Sequence, residues 1–165
     1  MTISKGDRIP EATLMRMGAE GPEPVKASEY FAGRKVALFA VPGAFTPTCS
    51  AKHLPGFVDH ADALKAKGVD AIACVSVNDV FVMDAWGKSV GGKSAGVDGK
   101  VDMLADGNGA FAEALGLEMD ASSFGMGQRS QRYSMIVEDG TVAEVNVEGP
   151  GEFRVSSADY MLKQL

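Results

Sequence analysis

Two short apolar runs with an amphipathic stretch between them constrain this chain more than any other feature. Residues 34–41, Arg-Lys-Val-Ala-Leu-Phe-Ala-Val, and residues 69–77, Val-Asp-Ala-Ile-Ala-Cys-Val-Ser-Val, are almost continuous in apolar side chains. A strand with one wet face alternates polar and apolar residues, whereas a strand covered on both sides does not. Both runs therefore read as central strands of a parallel or mixed sheet. Between them Leu54, Phe57, Val58, Ala61 and Leu64 recur at helical spacing, and Lys65, Lys67 and Gly68 supply a stop. The three pieces make a β-α-β unit. Pro55 lacks an N–H and crowds the turn before it, so a kink is expected near Leu54.

The remaining pattern extends this unit in both directions. A helix is expected over Asp79 to Lys88, with Asn78 as its N-cap, followed by a loop at 91–96. A strand at Val101 to Ala105 leads through Asp106-Gly107-Asn108-Gly109 into a helix at Ala110 to Leu115, and residues 120–131 read as an irregular loop. Arg132 to Val137 and Thr141 to Val147 alternate around Glu138-Asp139-Gly140, a hairpin signal. The chain closes with a helix over Ser156 to Leu165, whose Ser-x-x-Asp start resembles a cap. Residues 1–33 add a hairpin and a short helix. This order is the layout of a thioredoxin-like α/β fold, a central mixed sheet flanked by helices with an N-terminal hairpin extension. No repeat or linker interrupts it, so residues 1–165 are expected to form one domain.

Charge and cysteine usage exclude several function classes. The net charge is −6, and Lys and Arg are scattered, so no basic stripe exists to neutralise nucleic-acid phosphates. No apolar run has the length of a membrane span, and Met1 to Asp7 lacks the pattern of a signal peptide. The cytoplasm is the expected compartment. Two cysteines, Cys49 and Cys74, without a C-x-x-C, and two histidines, His53 and His60, offer neither a disulfide scaffold nor a structural metal site. One cysteine is expected to react and the other to pack.

Cys49 stands where a buried strand has ended and a helix begins, in the run Pro42-Gly43-Ala44-Phe45-Thr46-Pro47-Thr48-Cys49. Free N–H groups and the positive end of the helix dipole meet a thiol in a first turn and favour its thiolate. Pro47 suits helix initiation, and the Thr46 hydroxyl can reach the volume occupied by the sulfur. Position alone leaves two readings open, a nucleophile or a small apolar residue at the head of a core helix. Cys74, inside the second apolar run, reads as packing.

The residues Pro42, Thr46 and Cys49 form a Pro-x-x-x-Thr-x-x-Cys pattern that resembles the peroxiredoxins. The likeness continues through Ser50 to Phe57, Ala73 to Asp79, Trp86-Gly87, Leu104 to Asp106, Gly109 to Phe111, Arg132 to Met135 and Asn146 to Glu148. It is nearest to the atypical fifth subfamily, called type II in plants. The resemblance implies a thiol peroxidase in which Cys49 is the peroxidatic thiolate, Thr46 hydrogen-bonds peroxide and thiolate, and Pro42 shields the sulfur. Arg132 would be the family's distant arginine, offsetting thiolate charge and steadying charge on the peroxide oxygens. Arg129 is its rival.

No cysteine follows Cys74, so the late resolving cysteine of many relatives is missing. The resemblance then implies that sulfenic acid at Cys49 is reduced by an external thiol (glutathione, glutaredoxin or thioredoxin), with no resident cofactor, in a protein that forms a homodimer. His53 shares a helical face with Cys49 and reads as a pocket-lining or packing residue. Phe45 and Phe124 are candidates for an apolar collar round the peroxide. Two other functions compete: a binding or chaperone module without peroxidase activity, and a cysteine hydrolase using Cys49 with a histidine base.

Overall fold

The computed structural model describes residues 1–90 and 100–165. The expected loop at 91–96 lies outside the described residues, except that the helix before it ends at Ser89.

Strands β1 (Thr13–Gly18), β2 (Gly21–Lys26), β3 (Lys35–Ala40), β4 (Ala71–Ser76), β5 (Asp102–Ala105), β8 (Tyr133–Glu138) and β9 (Thr141–Val147) form one sheet in the order β2-β1-β5-β4-β3-β8-β9. Strands β3, β4 and β5 are parallel, whereas β8 and β9 on one side and β1 and β2 on the other run antiparallel. The sheet is thus mixed, as the apolar runs required. Burial shows why those runs could not alternate. Ala37, Phe39, Ile72 and Cys74 enter one apolar cluster, while Val36, Leu38, Ala40, Ala71, Ala73 and Val75 enter another on the opposite face. The first face is covered by α2 (Leu54–Asp59), α3 (Ala61–Ala66), α4 (Val80–Ser89) and α6 (Ala158–Gln164). The second is covered by α1 (Ala27–Tyr30) and α5 (Ala110–Leu115). This is the thioredoxin-like α/β architecture with the N-terminal hairpin and short helix in place.

The crossover between β3 and β4 departs from the single kinked helix that the sequence suggests. Its apolar face is as expected, with Leu54, Phe57, Val58, Ala61 and Leu64 all buried. The backbone, however, turns helical at Pro47, widens into a π-helical turn over Cys49–His53, and only then becomes α2. The Leu54 N–H bonds to the Cys49 carbonyl, five residues back. Pro55 explains the widening: its ring would strike the Ala51 carbonyl in a regular α-helix, and a wider turn moves that carbonyl aside. A second break falls at His60, between α2 and α3, where the ring Nδ1 lies 2.9 Å from the Gly56 carbonyl.

Other corrections are local. Asp79 caps α4 through the Val82 N–H at 2.9 Å, so Asn78 is free for a different task. Ser157 caps α6 through the Tyr160 N–H, whereas Ser156 is buried and bonded to Glu148. Residues 120–131 contain a 3₁₀ turn (Ser122–Phe124) between short paired strands β6 (Glu118–Asp120) and β7 (Gln128–Ser130). Strands of three residues carry too few side chains to show a period. The β8–β9 turn is as predicted, with Asp139 and Gly140 both at positive φ, the signature of a tight hairpin.

Candidate active site

The sheet order brings together two residues that lie far apart in the chain. Tyr133, the first residue of β8, pairs with Ala40, the last residue of β3. Arg132 therefore emerges beside the point where the chain leaves β3 for Pro42 and the Cys49 loop. Its Nη2 donates to the Cys49 Sγ at 3.0 Å. Cys49 is free and fully buried. The guanidinium is the polar partner of a sulfur that otherwise packs within the apolar cluster.

Loop geometry fixes the approach to that sulfur. The Thr46 hydroxyl donates to the Gly43 carbonyl at 2.7 Å, and the Thr46 carbonyl accepts the Ser50 N–H, opening the helical stretch. With its proton spent on Gly43, the Thr46 oxygen keeps lone pairs with which to accept a bond from a substrate O–H. Space at Gly43 is tight: a Cβ there would lie 3.0 Å from Met126 Cε and 3.2 Å from Thr46 Cγ2, so those side chains would have to shift. Asn78 anchors the loop from the end of β4. Its Oδ1 accepts the Ala44 N–H at 3.0 Å and the Ser76 hydroxyl at 2.6 Å. Phe45, next in the loop, is held at φ 62°, a left-handed conformation that a bulky side chain adopts only when its surroundings impose it. On the other side, Trp86 of α4 donates from Nε1 to the Ser50 hydroxyl at 2.9 Å, tying down the residue after Cys49. Pro42 is half-buried just beyond β3.

The rivalry between the two arginines is resolved by their partners. Arg129 donates to the Met126 and Val77 carbonyls, both at 2.9 Å, and so braces the β6–β7 segment. Arg132 alone of the two bonds Cys49. His53, which the sequence places on the helical face of Cys49, is buried, and its Nδ1 lies 2.8 Å from Arg132 Nη1. Its Nε2 lies 2.9 Å from the Ser156 carbonyl. Burial first, and the Arg132 charge second, push the imidazole down to about 3, a neutral ring at physiological pH. With both ring nitrogens occupied, His53 is not placed as a hydrolase base.

Cys74 is a packing residue in the middle of β4, fully buried, and burial pushes its thiol up. Phe45 and Phe124 are exposed, at 54% and 81%, so neither belongs to the core. The roles of Asn78, Trp86 and His53 as supports of the loop and of Arg132 were missed from the sequence. Only His53 carried a signal, its spacing from Cys49.

With this geometry the comparisons with known proteins agree. The redoxin family pattern matches residues 4–162. Peroxiredoxin-2E-2, chloroplastic, of Oryza sativa subsp. japonica is 55% identical over 168 residues, covering 99% of this chain and 73% of that protein. The chain belongs to the peroxiredoxin family. Peroxiredoxin-2B of Arabidopsis thaliana is 47% identical over 164 residues, covering 99% of this chain and 98% of its own length. Among solved structures, reduced Prx3 of Vibrio vulnificus in complex with H2O2 superposes with a TM-score of 0.92 at 53% identity, covering 99% of both chains. This peroxiredoxin is accordingly a thiol-dependent peroxidase with a thioredoxin-like fold. Among its described residues no helix is long and apolar enough to cross a membrane.

Proposed function

We propose that Cys49 is the peroxidatic nucleophile of this peroxiredoxin, acting on hydrogen peroxide and alkyl hydroperoxides, and that an external thiol recycles it. The contact between Arg132 Nη2 and Cys49 Sγ at 3.0 Å carries the assignment. The thiolate attacks the terminal oxygen of ROOH; an S–O bond forms, the O–O bond breaks, and the alkoxide leaves as ROH after taking a proton. Sulfur is oxidised by two electrons to sulfenic acid while the peroxide is reduced. Two guanidinium donors are used on Cys49 and His53, and the others are available to charge developing on the peroxide oxygens. Thr46 accepts a hydrogen bond from the peroxide, and Pro42 shields the sulfur from bulk water.

A first external thiol then condenses with the sulfenic acid, releasing water and leaving a mixed disulfide on Cys49. A second thiol displaces Cys49 as a thiol. Glutathione, glutaredoxin or thioredoxin supplies these equivalents, and no resident cofactor takes part. The burial of Cys74 and the absence of any later cysteine support this cycle over an internal disulfide. Residues 1–165 act as one domain in the cytoplasm, without nucleic-acid or membrane partners, and the exposed Phe45 and Phe124 favour a homodimer contact.

Stopped-flow oxidation with several peroxides, then turnover with glutathione plus glutaredoxin and with thioredoxin, tests the whole reading. The expected result is fast oxidation with sulfenic acid trapped at Cys49. No oxidation, or an acyl-enzyme in place of sulfenate, would overturn it.

A further inference from the structure

We propose that His53 is a positioning residue for peroxide reduction: its Nδ1 accepts from Arg132 Nη1 and holds the guanidinium fork on the Cys49 sulfur. The inference rests on the assignment of Cys49 and Arg132 to peroxide chemistry and deepens it.

Hydrogen-bond logic fixes the state of the ring. The Ser156 carbonyl, 2.9 Å from Nε2, can only accept, so Nε2 carries the proton. Arg132, 2.8 Å from Nδ1, can only donate, so Nδ1 is a bare lone pair. His53 is therefore a neutral acceptor in one defined tautomer. The displacement of its titration to about 3 agrees with this state.

The ring has little freedom to turn. Phe39, Phe57 and Phe153 surround it with centroids at 4.8, 5.8 and 4.9 Å. Its far partner is fixed too: the Ser156 N–H and hydroxyl both donate to Glu148 Oε2, at 2.8 and 2.6 Å. Arg132 is thus held from a fully buried site tied to the segment before α6.

The chemical class of the acceptor matters more than its strength. A carboxylate in this place would hold the guanidinium as firmly, but would cancel much of the charge that Cys49 and the peroxide need. A neutral imidazole orients Arg132 and leaves its full charge to the reaction.

Three substitutions separate the two hydrogen bonds of the ring. His53→Asn puts an amide oxygen near the Nδ1 position and retains the acceptor for Arg132. His53→Gln puts an amide nitrogen near Nε2 and retains only the Ser156 bond, and His53→Leu removes both. The readout is the second-order rate of Cys49 oxidation by hydrogen peroxide, with thermal stability measured alongside. H53N is expected within about threefold of the parent, and H53Q and H53L about 10- to 100-fold slower. In an Arg132→Gln background, H53Q should cause no further loss, because the arginine it positions is gone. Equal losses in H53N and H53Q, rates that track stability alone, or additive losses with R132Q would each overturn the proposal.

A measurement on the unsubstituted protein covers the case of variants that do not fold. The ¹⁵N NMR spectrum of the histidine rings at neutral pH should show a protonated Nε2 and an unprotonated Nδ1 for His53. The opposite tautomer or an imidazolium would sink the idea. If the parent protein itself fails to oxidise at Cys49, the peroxidase assignment fails, whatever the tautomer.

Discussion

Cys49 and Cys74 are equally hidden, each 0% exposed, and both belong to the apolar cluster on the same face of the sheet. Burial therefore does not distinguish the two thiols. What differs is the local backbone and its polar company. Cys74 sits mid-strand in β4, where backbone groups are spent on β3 and β5, and burial pushes its thiol up. Cys49 sits in the first helical turn after the loop that leaves β3, with Arg132 against its sulfur. Of the two sulfurs, only that of Cys49 accepts a hydrogen bond from a guanidinium.

Breaking this asymmetry at its centre gives the largest effect. Cys49→Ser is expected to lower peroxide turnover on the order of 10³-fold or more, read by peroxide consumption with any thiol donor. Arg132→Gln should follow, with a loss of about 10²- to 10³-fold in the rate of Cys49 oxidation. Arg132→Lys should recover only part of that loss, since an ammonium cannot fork between Cys49 and His53.

The acid limb of stability sharpens the same contrast, because Cys49 has a titratable neighbour one step removed and that neighbour is buried neutral. His53 is lowered from 6.5 to about 3 in the folded protein, so an unfolding chain takes up a proton that the folded one refuses. Its stabilising contribution is complete above about pH 6.5 and is lost as pH falls toward about 3. Urea unfolding should show about 2 kcal/mol of this loss between pH 7 and pH 5, and less of it in His53→Asn.

Smaller effects test the margins. Thr46→Val removes the hydroxyl that bonds the Gly43 carbonyl and is expected to cost about 10-fold in oxidation rate, with Cys49 still present. Cys74→Ala should cost about 1 kcal/mol in stability and leave turnover with external thiols within about twofold of the parent. Loss of turnover with every donor in a folded Cys74→Ala protein would show that the second thiol is not merely packing.

Legibility in the sequence followed the range of the forces involved. The two central strands were readable because burial on both faces leaves a continuous apolar run, and the Asp139-Gly140 turn because positive φ restricts residue choice. The helix after Cys49 was legible in its apolar face and not in its backbone. Pro55 announced an irregularity, but its form, a wide turn over Cys49–His53 placed before the proline, appears only in the folded backbone. Asn78 was misread because Asx side chains cap helices and anchor loops with the same chemistry, and the neighbouring Asp79 took the cap.

The sequence by itself determined the central strands, the placement of Cys49 at a strand-to-helix junction and the Pro42, Thr46, Cys49 pattern, because each is written in neighbours a few residues apart. Tertiary structure decided which arginine reaches the sulfur, which histidine nitrogen faces that arginine, and which buried cysteine has a charged partner. These depend on Tyr133 pairing with Ala40 across the sheet and on Ser156 closing over His53. Contacts spanning 79 to 103 residues of chain leave no local period or turn signal, so only the folded sheet could make the choice.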